Sequence, residues 1–355
     1  MKHLISIFSL FLMVTSCDSD SGTNKSFDRS VILIQAADSI ILPTYEHLVE
    51  QIDQLTKATE AFIQVPNATQ LANLKTRHFE ARMAWKTAEA FNFGPIDDMA
   101  LASQMDFWPI HVKGVEEDIL AYDAEVIGEK ILPSNRKGFA VIEYLLFHLS
   151  EDEILNQFEQ DGRRGMLNYY VNDLLKNAQA MQQEWIEGDY YSTFVTSTGQ
   201  DVTAGSTLLA NELIMLAERT QMIRIGRPLG LTSFTDSDPT LVESFYAQKS
   251  LELISANLEI IQLVFNGAEG QGFDYYLDAL DLENEIKLSE QINDQIASCI
   301  SSLKGIQGAL QVAILSHPDQ VEDLYNELGA LIVLLKSDMM SQLGLTVIYG
   351  DSDGD

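Results

Sequence analysis

The sequence predicts an all-α protein made of two four-helix-bundle-like domains. Apolar residues recur at steps of three and four in many segments, whereas the alternation typical of strands is scarce. Such stripes bury one helix face against neighbouring helices, as in antiparallel bundles. Because 355 residues exceed what one hydrophobic core usually supports, two domains are favoured.

The N-terminus has the pattern of an export signal, which we assign to residues 1–16. Lys2 is followed by an apolar stretch that is too short to cross a bilayer as a stable helix. The next residues, VTSC, end at Cys17 and resemble the bacterial lipobox, in which cleavage precedes a lipidated cysteine. The alternative is an ordinary cleaved signal with a chance cysteine at this position.

Lipidation of Cys17 would anchor the mature protein in a membrane, since each buried methylene contributes roughly 0.8 kcal/mol. We therefore expect an exported lipoprotein of the bacterial cell envelope, at the outer membrane, facing the periplasm or the cell surface. Residues 17–26 contain no apolar side chain after the cysteine and are predicted to be a flexible tether.

The two domains are predicted to be an N-terminal helical bundle, 27–195, and a C-terminal one, 196–355. Their boundary lies in the segment 188–206, which is rich in Gly, Ser and Thr and breaks the helical period. A second glycine-rich break, 266–272, is predicted to be a loop inside the second domain. Prolines fall where helices should begin, bend or stop, at Pro66, Pro95, Pro109, Pro133, Pro228, Pro239 and Pro318.

Composition excludes one class of partner. Acidic residues outnumber basic ones by 53 to 22, so most of the surface repels nucleic acid and we expect no DNA or RNA binding. The usual signatures H-E-x-x-H, G-x-S-x-G, the Walker loop, C-x-x-C and the dinucleotide fingerprint are absent from the sequence. Cys299 lies on an apolar stripe and is predicted to be a small core residue.

Glu143 stands alone as an acid in the apolar run GFAVIEYLLF, 138–147. A buried and unpaired carboxylate costs several kcal/mol, so a partner is expected. We favour a partner from the protein, with Arg227 as the guanidinium and Trp108 and Tyr144 as further donors. The alternatives are a cation from solution, or an acid that reaches solvent at the helix edge.

Several segments carry a family resemblance: AWKTAEAFNFGP (84–95), DFWPI (106–110), KGFAVIEYLLF (137–147), IGRPLG (225–230) and LGLTVIYGDSDGD (343–355). Together they resemble the imelysin-like proteins, which include bacterial lipoproteins linked to iron uptake. The resemblance implies two helical bundle-like domains with a functional site between them. It also implies a G-x-H-x-x-E signature, proposed to bind metal and once interpreted as a peptidase motif.

The signature is incomplete in this chain, since Gly138 and Glu143 match it but Ala140 stands at the histidine position. A histidine three residues before a glutamate shares its helix face and can bind the same ion, whereas a methyl group coordinates nothing. Iron or another divalent metal would therefore depend on Glu143 and on a substitute such as His111, whose alternative role is a surface or capping residue. A second His-x-x-Glu, His47 and Glu50, is predicted to lie on a solvated helix face.

The resulting expectation is a non-enzymatic binding protein of the envelope that holds an iron species, haem or a partner protein in a pocket. The pocket is predicted to include Gly138, Ala140, Glu143, Tyr144 and the two more distant residues Trp108 and Arg227. One alternative is a metallopeptidase, which needs at least three good ligands and an open position on the metal. Another is a surface scaffold with a vestigial pocket.

Overall fold

The computed structural model describes residues 27–232, 234–280 and 286–348. Over these residues the chain is helical and contains no strand, which confirms the all-α prediction. The helices are α1 Ser30–Ala36, α2 Leu42–Gln64, α3 Ala68–Ala88, α4 Pro95–Asp98, α5 Leu101–Met105, α6 Val112–Leu120, α7 Phe139–Phe147, α8 Glu151–Gln157, α9 Asp161–Ile186, α10 Tyr190–Thr196, α11 Gly205–Glu218, α12 Ser250–Asn266, α13 Phe273–Leu280, α14 Leu288–Gly305, α15 Leu310–Ser316, α16 Pro318–Val333 and α17 Met340–Leu343.

Shorter helical pieces connect or extend these helices. π-helical segments span Ala37–Ile41, Arg219–Gly226 and Leu334–Met339, and each continues directly from an α-helix. Single 3₁₀ turns occur at Glu89–Phe91, Ile127–Glu129, Ser134–Arg136 and Pro239–Leu241. The segment Arg219–Gly226 carries Arg219 and Arg224, which line a cavity of the site described below.

Local chemistry explains several helix ends. Asn67 caps α3, where its side chain accepts a hydrogen bond of 3.0 Å from the Gln70 amide. Pro95 and Pro318 begin α4 and α16, where a missing N–H costs nothing. Gly267 ends α12 in the left-handed conformation, at a φ of 68°. The prediction that prolines mark helix boundaries is confirmed at these positions.

The long helices pack in two rings of four. In the first ring α2 contacts α3 and α9, and α7 closes it by contacting both. In the second, α12 contacts α11 and α14, and α16 closes it in the same way. Helix α12 also packs against α3, and the buried apolar side chains form one connected cluster that includes both rings. The division into domains at residues 195 and 196 stays a prediction.

Other sequence-based expectations have mixed outcomes. The break at 266–272 is a connection between α12 and α13, as predicted. Cys299 is fully buried and unpaired, which confirms its assignment to the core. The signal 1–16, Cys17 with its tether, and the end of the terminal segment from residue 349 lie outside the described residues. Within the described ranges, no helix is long and apolar enough to cross a membrane.

Candidate functional site

Gly138 fixes the start of α7 and thereby the position of Glu143. It has a φ of 85°, in the region that side chains disfavour, and it forms an isolated antiparallel bridge with Asp106. A Cβ at this position would lie 2.4 Å from the carbonyl oxygen of Met105. The glycine is therefore required so that the Asp106 segment can approach the first turn of α7.

Glu143 is 2 % exposed, and both of its carboxylate oxygens are satisfied by the protein. Oε2 accepts hydrogen bonds of 2.5 Å from Arg82 Nη1 and of 2.5 Å from Ser244 Oγ. Oε1 accepts hydrogen bonds from the amides of Tyr246 and Ala247, at 2.9 and 3.2 Å. Burial raises the pKa of Glu143, and Arg82 with these hydrogen bonds opposes that shift. The prediction that the protein supplies the partner is thus confirmed.

The predicted partners themselves were wrong. Arg82, on α3, occupies the position expected for Arg227. Trp108 Nε1 donates to the Leu241 carbonyl at 3.3 Å. The Tyr144 hydroxyl donates to Glu116 at 2.9 Å, because it projects from α7 toward α6 and not toward Glu143.

Arg82 also links Glu143 to a second buried carboxylate. Its Nε and Nη2 donate to the two oxygens of Asp106, at 2.9 and 3.0 Å. The Arg82 side chain is 1 % exposed and that of Asp106 is fully buried. This two-point contact has the geometry that a planar guanidinium favours.

The network extends through Lys86 and Arg224. Lys86 Nζ forms ion pairs with Glu89 at 3.1 Å, with Asp106 at 3.4 Å and with Glu243. Arg224 donates to both oxygens of Glu89, at 2.6 and 2.8 Å, and to Glu243 at 2.9 Å. We call this set the buried charge network: Arg82, Lys86, Glu89, Asp106, Glu143, Arg224 and Glu243.

The network joins residues that lie before and after residue 196. Arg82, Lys86 and Glu143 come from α3 and α7, whereas Arg224 comes from the π-helical segment Arg219–Gly226 and Glu243 from the connection before α12. π-Helical segments often occur at functional sites, because the extra residue redirects the side chains. The guanidinium of Arg224 and the ammonium of Lys86 both lie over the Trp108 ring, 5.5 and 5.7 Å from its centroid.

The residues present do not fit a resident metal ion at Glu143. Both of its carboxylate oxygens accept hydrogen bonds from the protein, and the side chain of Ala140 has no atom that can coordinate a metal. His111 is exposed at the start of α6 and does not line the cavity beside Glu143. Throughout the described ranges, no group of three or more His, Cys, Asp or Glu side chains is arranged to hold a metal. His47 and Glu50 are exposed, as predicted for a solvated face.

Two cavities flank Trp108. The alanine cavity, of about 230 Å³, is lined by Ala140, Glu143 and mainly apolar neighbours. The arginine cavity, of about 340 Å³, is lined by Trp85, Glu89, Asn92, Ala102, Ser103, Asp106, Phe107, Trp108, Arg219, Ile223, Arg224 and Arg227. Of the predicted pocket residues, Trp108 lines both cavities, Arg227 lines only the arginine cavity, and Gly138 and Tyr144 line neither.

Sequence reasoning missed Arg82, although a signal for it was present. His78, Arg82 and Lys86 follow each other at four-residue steps on the stripe of α3 that Leu71 and Leu74 begin. Polar residues on an apolar stripe are buried with it and need partners there. His78 is neutral, because burial, with help from Arg82, lowers its pKa to about 3.

A comparison with protein families assigns the chain. A family model described as Imelysin, peptidase family M75, matches residues 41–336. The chain belongs to the imelysin family. The matched range includes every member of the buried charge network.

Known proteins similar to this imelysin-family chain agree with that assignment. It is 24% identical over 322 residues to iron-regulated protein A of Synechococcus elongatus, covering 87% of this chain and 84% of that protein. It superimposes on the crystal structure of an iron-regulated protein A precursor from Parabacteroides distasonis with a TM-score of 0.74 at 19% identity, covering 88% and 94% of the two chains. An imelysin-like protein from Psychrobacter arcticum gives a TM-score of 0.67 at 20% identity, covering 89% and 96%. The two structures establish a shared fold.

Proposed function

We propose that this protein is a non-enzymatic binding protein of the bacterial cell envelope, anchored through lipid on Cys17, which holds an iron species or haem. The observation that supports binding without catalysis is the saturation of Glu143 by Arg82, Ser244 and two backbone amides. A carboxylate held in this way cannot also bind and activate a metal-bound water. The iron connection is carried over from the name of the Synechococcus relative.

Binding measurements on the purified mature protein test the ligand. We expect iron salts or haem to bind at near-neutral pH, and elemental analysis of protein purified without added metal gives an independent readout. No affinity for either ligand would remove the iron part of the proposal. Cleavage of an unfolded protein that stops when a chelator is added would contradict the non-enzymatic part.

Two substitutions test whether Glu143 has a structural role or binds a metal ion directly. Glu143→Gln keeps an acceptor for the two backbone amides, so we expect the affinity for iron salts or haem to change by less than about threefold. If Glu143 were a metal ligand, the same substitution would reduce that affinity far more. Ala140→His restores the motif imidazole, and we expect no gain in affinity for divalent metals, because Arg82 still occupies the carboxylate. Glu50→Gln, on the exposed face of α2, is the matched control.

The membrane anchor needs a separate test. Cys17→Ser removes the only residue that the lipobox can lipidate, so we expect the protein to move from the membrane fraction to the soluble fraction of cells. Metabolic labelling with a fatty acid should mark the unsubstituted protein alone. Labelling of the variant, or its continued sedimentation with membranes, would contradict lipid anchoring at this cysteine.

A further inference from the structure

The arginine cavity is lined by three arginines that the protein itself engages to different degrees. Arg224 is committed to Glu89 and Glu243 by the hydrogen bonds given above. Arg219 is held more loosely, because its buried Nε and Nη2 form long ion pairs without hydrogen bonds, while its side chain is 33 % exposed. The nearest carboxylate oxygens are 3.9 Å away on Glu89 and 3.5 Å away on Glu212. Arg227 is half-buried, and within the described ranges its side chain has neither an ion pair nor a hydrogen bond.

Among the residues described, the carboxylates around the cavity pair with Arg224 and Arg219 but leave Arg227 without a counter-charge. Asp106 is occupied by Arg82 and Lys86, and Glu89 is occupied by Arg224 and Lys86. Glu212 is 3 % exposed, and its Oε2 has no hydrogen-bond partner. A protein with 53 acidic and 22 basic residues thus keeps one guanidinium that is unpaired in the described part of the chain, that of Arg227, beside the loosely paired Arg219 in one cavity.

Much of the remaining wall of the cavity is aromatic or apolar. Trp85 and Trp108 contribute indole rings, and Phe107 and Ile223 form part of the lining while remaining 45 and 37 % exposed. A volume of about 340 Å³ is sufficient for a small organic molecule.

We propose that the arginine cavity binds a small organic carboxylate with a flat apolar body. The carboxylate accepts hydrogen bonds from Arg227, whose planar guanidinium is suited to two-point recognition, and is attracted by the neighbouring Arg219, while the body lies against Trp85 and Trp108. This inference deepens the proposed function by naming the chemical class of the ligand, and it rests on that function only in treating the protein as a binding protein.

Calorimetric titration of the mature protein with 2-naphthoate, its neutral carboxamide and inorganic phosphate tests the proposal. We expect 2-naphthoate to bind at least about tenfold more tightly than the carboxamide, which has the same body without the charge. Its affinity should fall when salt is raised from about 0.05 to about 0.5 M. Equal affinity for the carboxamide, or binding of phosphate without binding of 2-naphthoate, would overturn the proposal.

Variants locate the binding to these arginines. Arg227→Gln and Arg219→Gln should each weaken 2-naphthoate binding by about tenfold or more, and Arg227→Lys should restore part of the loss. Arg77→Gln is the matched control, because Arg77 pairs only with Glu80 on the surface of α3. Unchanged affinity in both glutamine variants would refute the assignment.

Failure of this inference can be told apart from failure of the proposed function. Protein that binds iron salts or haem but no 2-naphthoate refutes the carboxylate site alone. Protein that binds 2-naphthoate but neither iron species retains the site and loses the iron role.

Discussion

Gly138 has a positive φ and lies close to the backbone at Met105, and the methyl group of an alanine is incompatible with both features. Gly138→Ala places a Cβ at a φ of 85° and 2.4 Å from the Met105 carbonyl oxygen. We expect the free energy of unfolding to fall by about 2–4 kcal/mol, as measured by urea denaturation.

Gly128 provides the control for that substitution. It has no positive φ, and a Cβ there would meet nothing within 4 Å. Gly128→Ala should therefore change the stability by less than about 0.5 kcal/mol. Equal effects of the two substitutions would contradict the argument from the close approach at Gly138.

Arg82 is the residue on which the buried carboxylates depend most directly. Arg82→Met leaves Glu143 and Asp106 without their guanidinium partner, so we expect a loss of about 3–5 kcal/mol in urea denaturation. Arg77→Met, five residues earlier on α3, removes a surface ion pair with Glu80 and should cost less than about 1 kcal/mol. A small effect at Arg82 would mean that water replaces the missing partner.

At the residue scale, the sequence predicted the need for a partner better than the partner itself. An acid in an apolar run requires a donor wherever it is buried, and this follows from local chemistry alone. The choice of Arg82 over Arg227 depends on how α3 and α7 meet across 61 positions of sequence, which residue patterns do not encode. The same limit explains the wrong expectations for Trp108 and Tyr144.

Helix α11 carries a titratable group with a measurable consequence for stability. Burial raises the pKa of Glu212 from 4.5 to about 8, against the attraction of Arg219 and with the repulsion of Asp97 and Glu89. Between these two values the unfolded chain releases the proton and the folded chain retains it, so rising pH destabilises the fold.

Glu212→Gln removes this titration. The free energy of unfolding of the variant, relative to the unsubstituted protein, should therefore rise between about pH 5 and pH 8, by at most about 1.4 kcal/mol per pH unit, and level off above that range. Thermal unfolding at several pH values measures the difference. The exposed Glu322→Gln is the control, and a difference independent of pH would contradict an elevated pKa at Glu212.

At the scale of elements, the long helices were predictable because their apolar stripes repeat over several turns. Pro95 and Pro318 marked helix starts for a local reason, since proline fits the first turn. The π-helical segment Arg219–Gly226 was not predictable, because its extra residue is accommodated by packing against α16 and leaves no sequence signal of its own. That segment supplies Arg219 and Arg224, so sequence analysis identified only Trp108 and Arg227 among the residues that line the arginine cavity.

The whole molecule carries a formal net charge of −31, whereas the side chains of the buried charge network are at most 12 % exposed. Salt screens the repulsion between surface acids but has little effect on buried pairs. We expect the thermal midpoint to rise by roughly 2–5 °C between about 0.02 and 0.3 M sodium chloride. A falling midpoint would show that exposed ion pairs contribute more than the surface repulsion.

The sequence predicted the fold class and the family of the whole molecule, but not how its helices pack against one another. Helical periodicity predicted the all-α architecture, and the quoted segments predicted the imelysin resemblance. The contact between α12 and α3, which ties the two rings of helices together, involves surfaces that each helix would present equally well to another partner. Only the folded chain distinguishes these arrangements.

The hydrogen bond between Arg82 and Glu143 has a consequence for how the family can diverge. Residue 140 contributes only a methyl group to a cavity wall, so substitutions at that position during evolution leave the rest of the fold intact. The guanidinium and the acid have less freedom, because loss of Arg82 leaves Glu143 without a counter-charge and loss of Glu143 leaves Arg82 with only one of the two carboxylates to which it donates. Among homologues lacking the motif imidazole, the two should be inherited as a pair, and an alignment in which they vary independently would contradict this expectation.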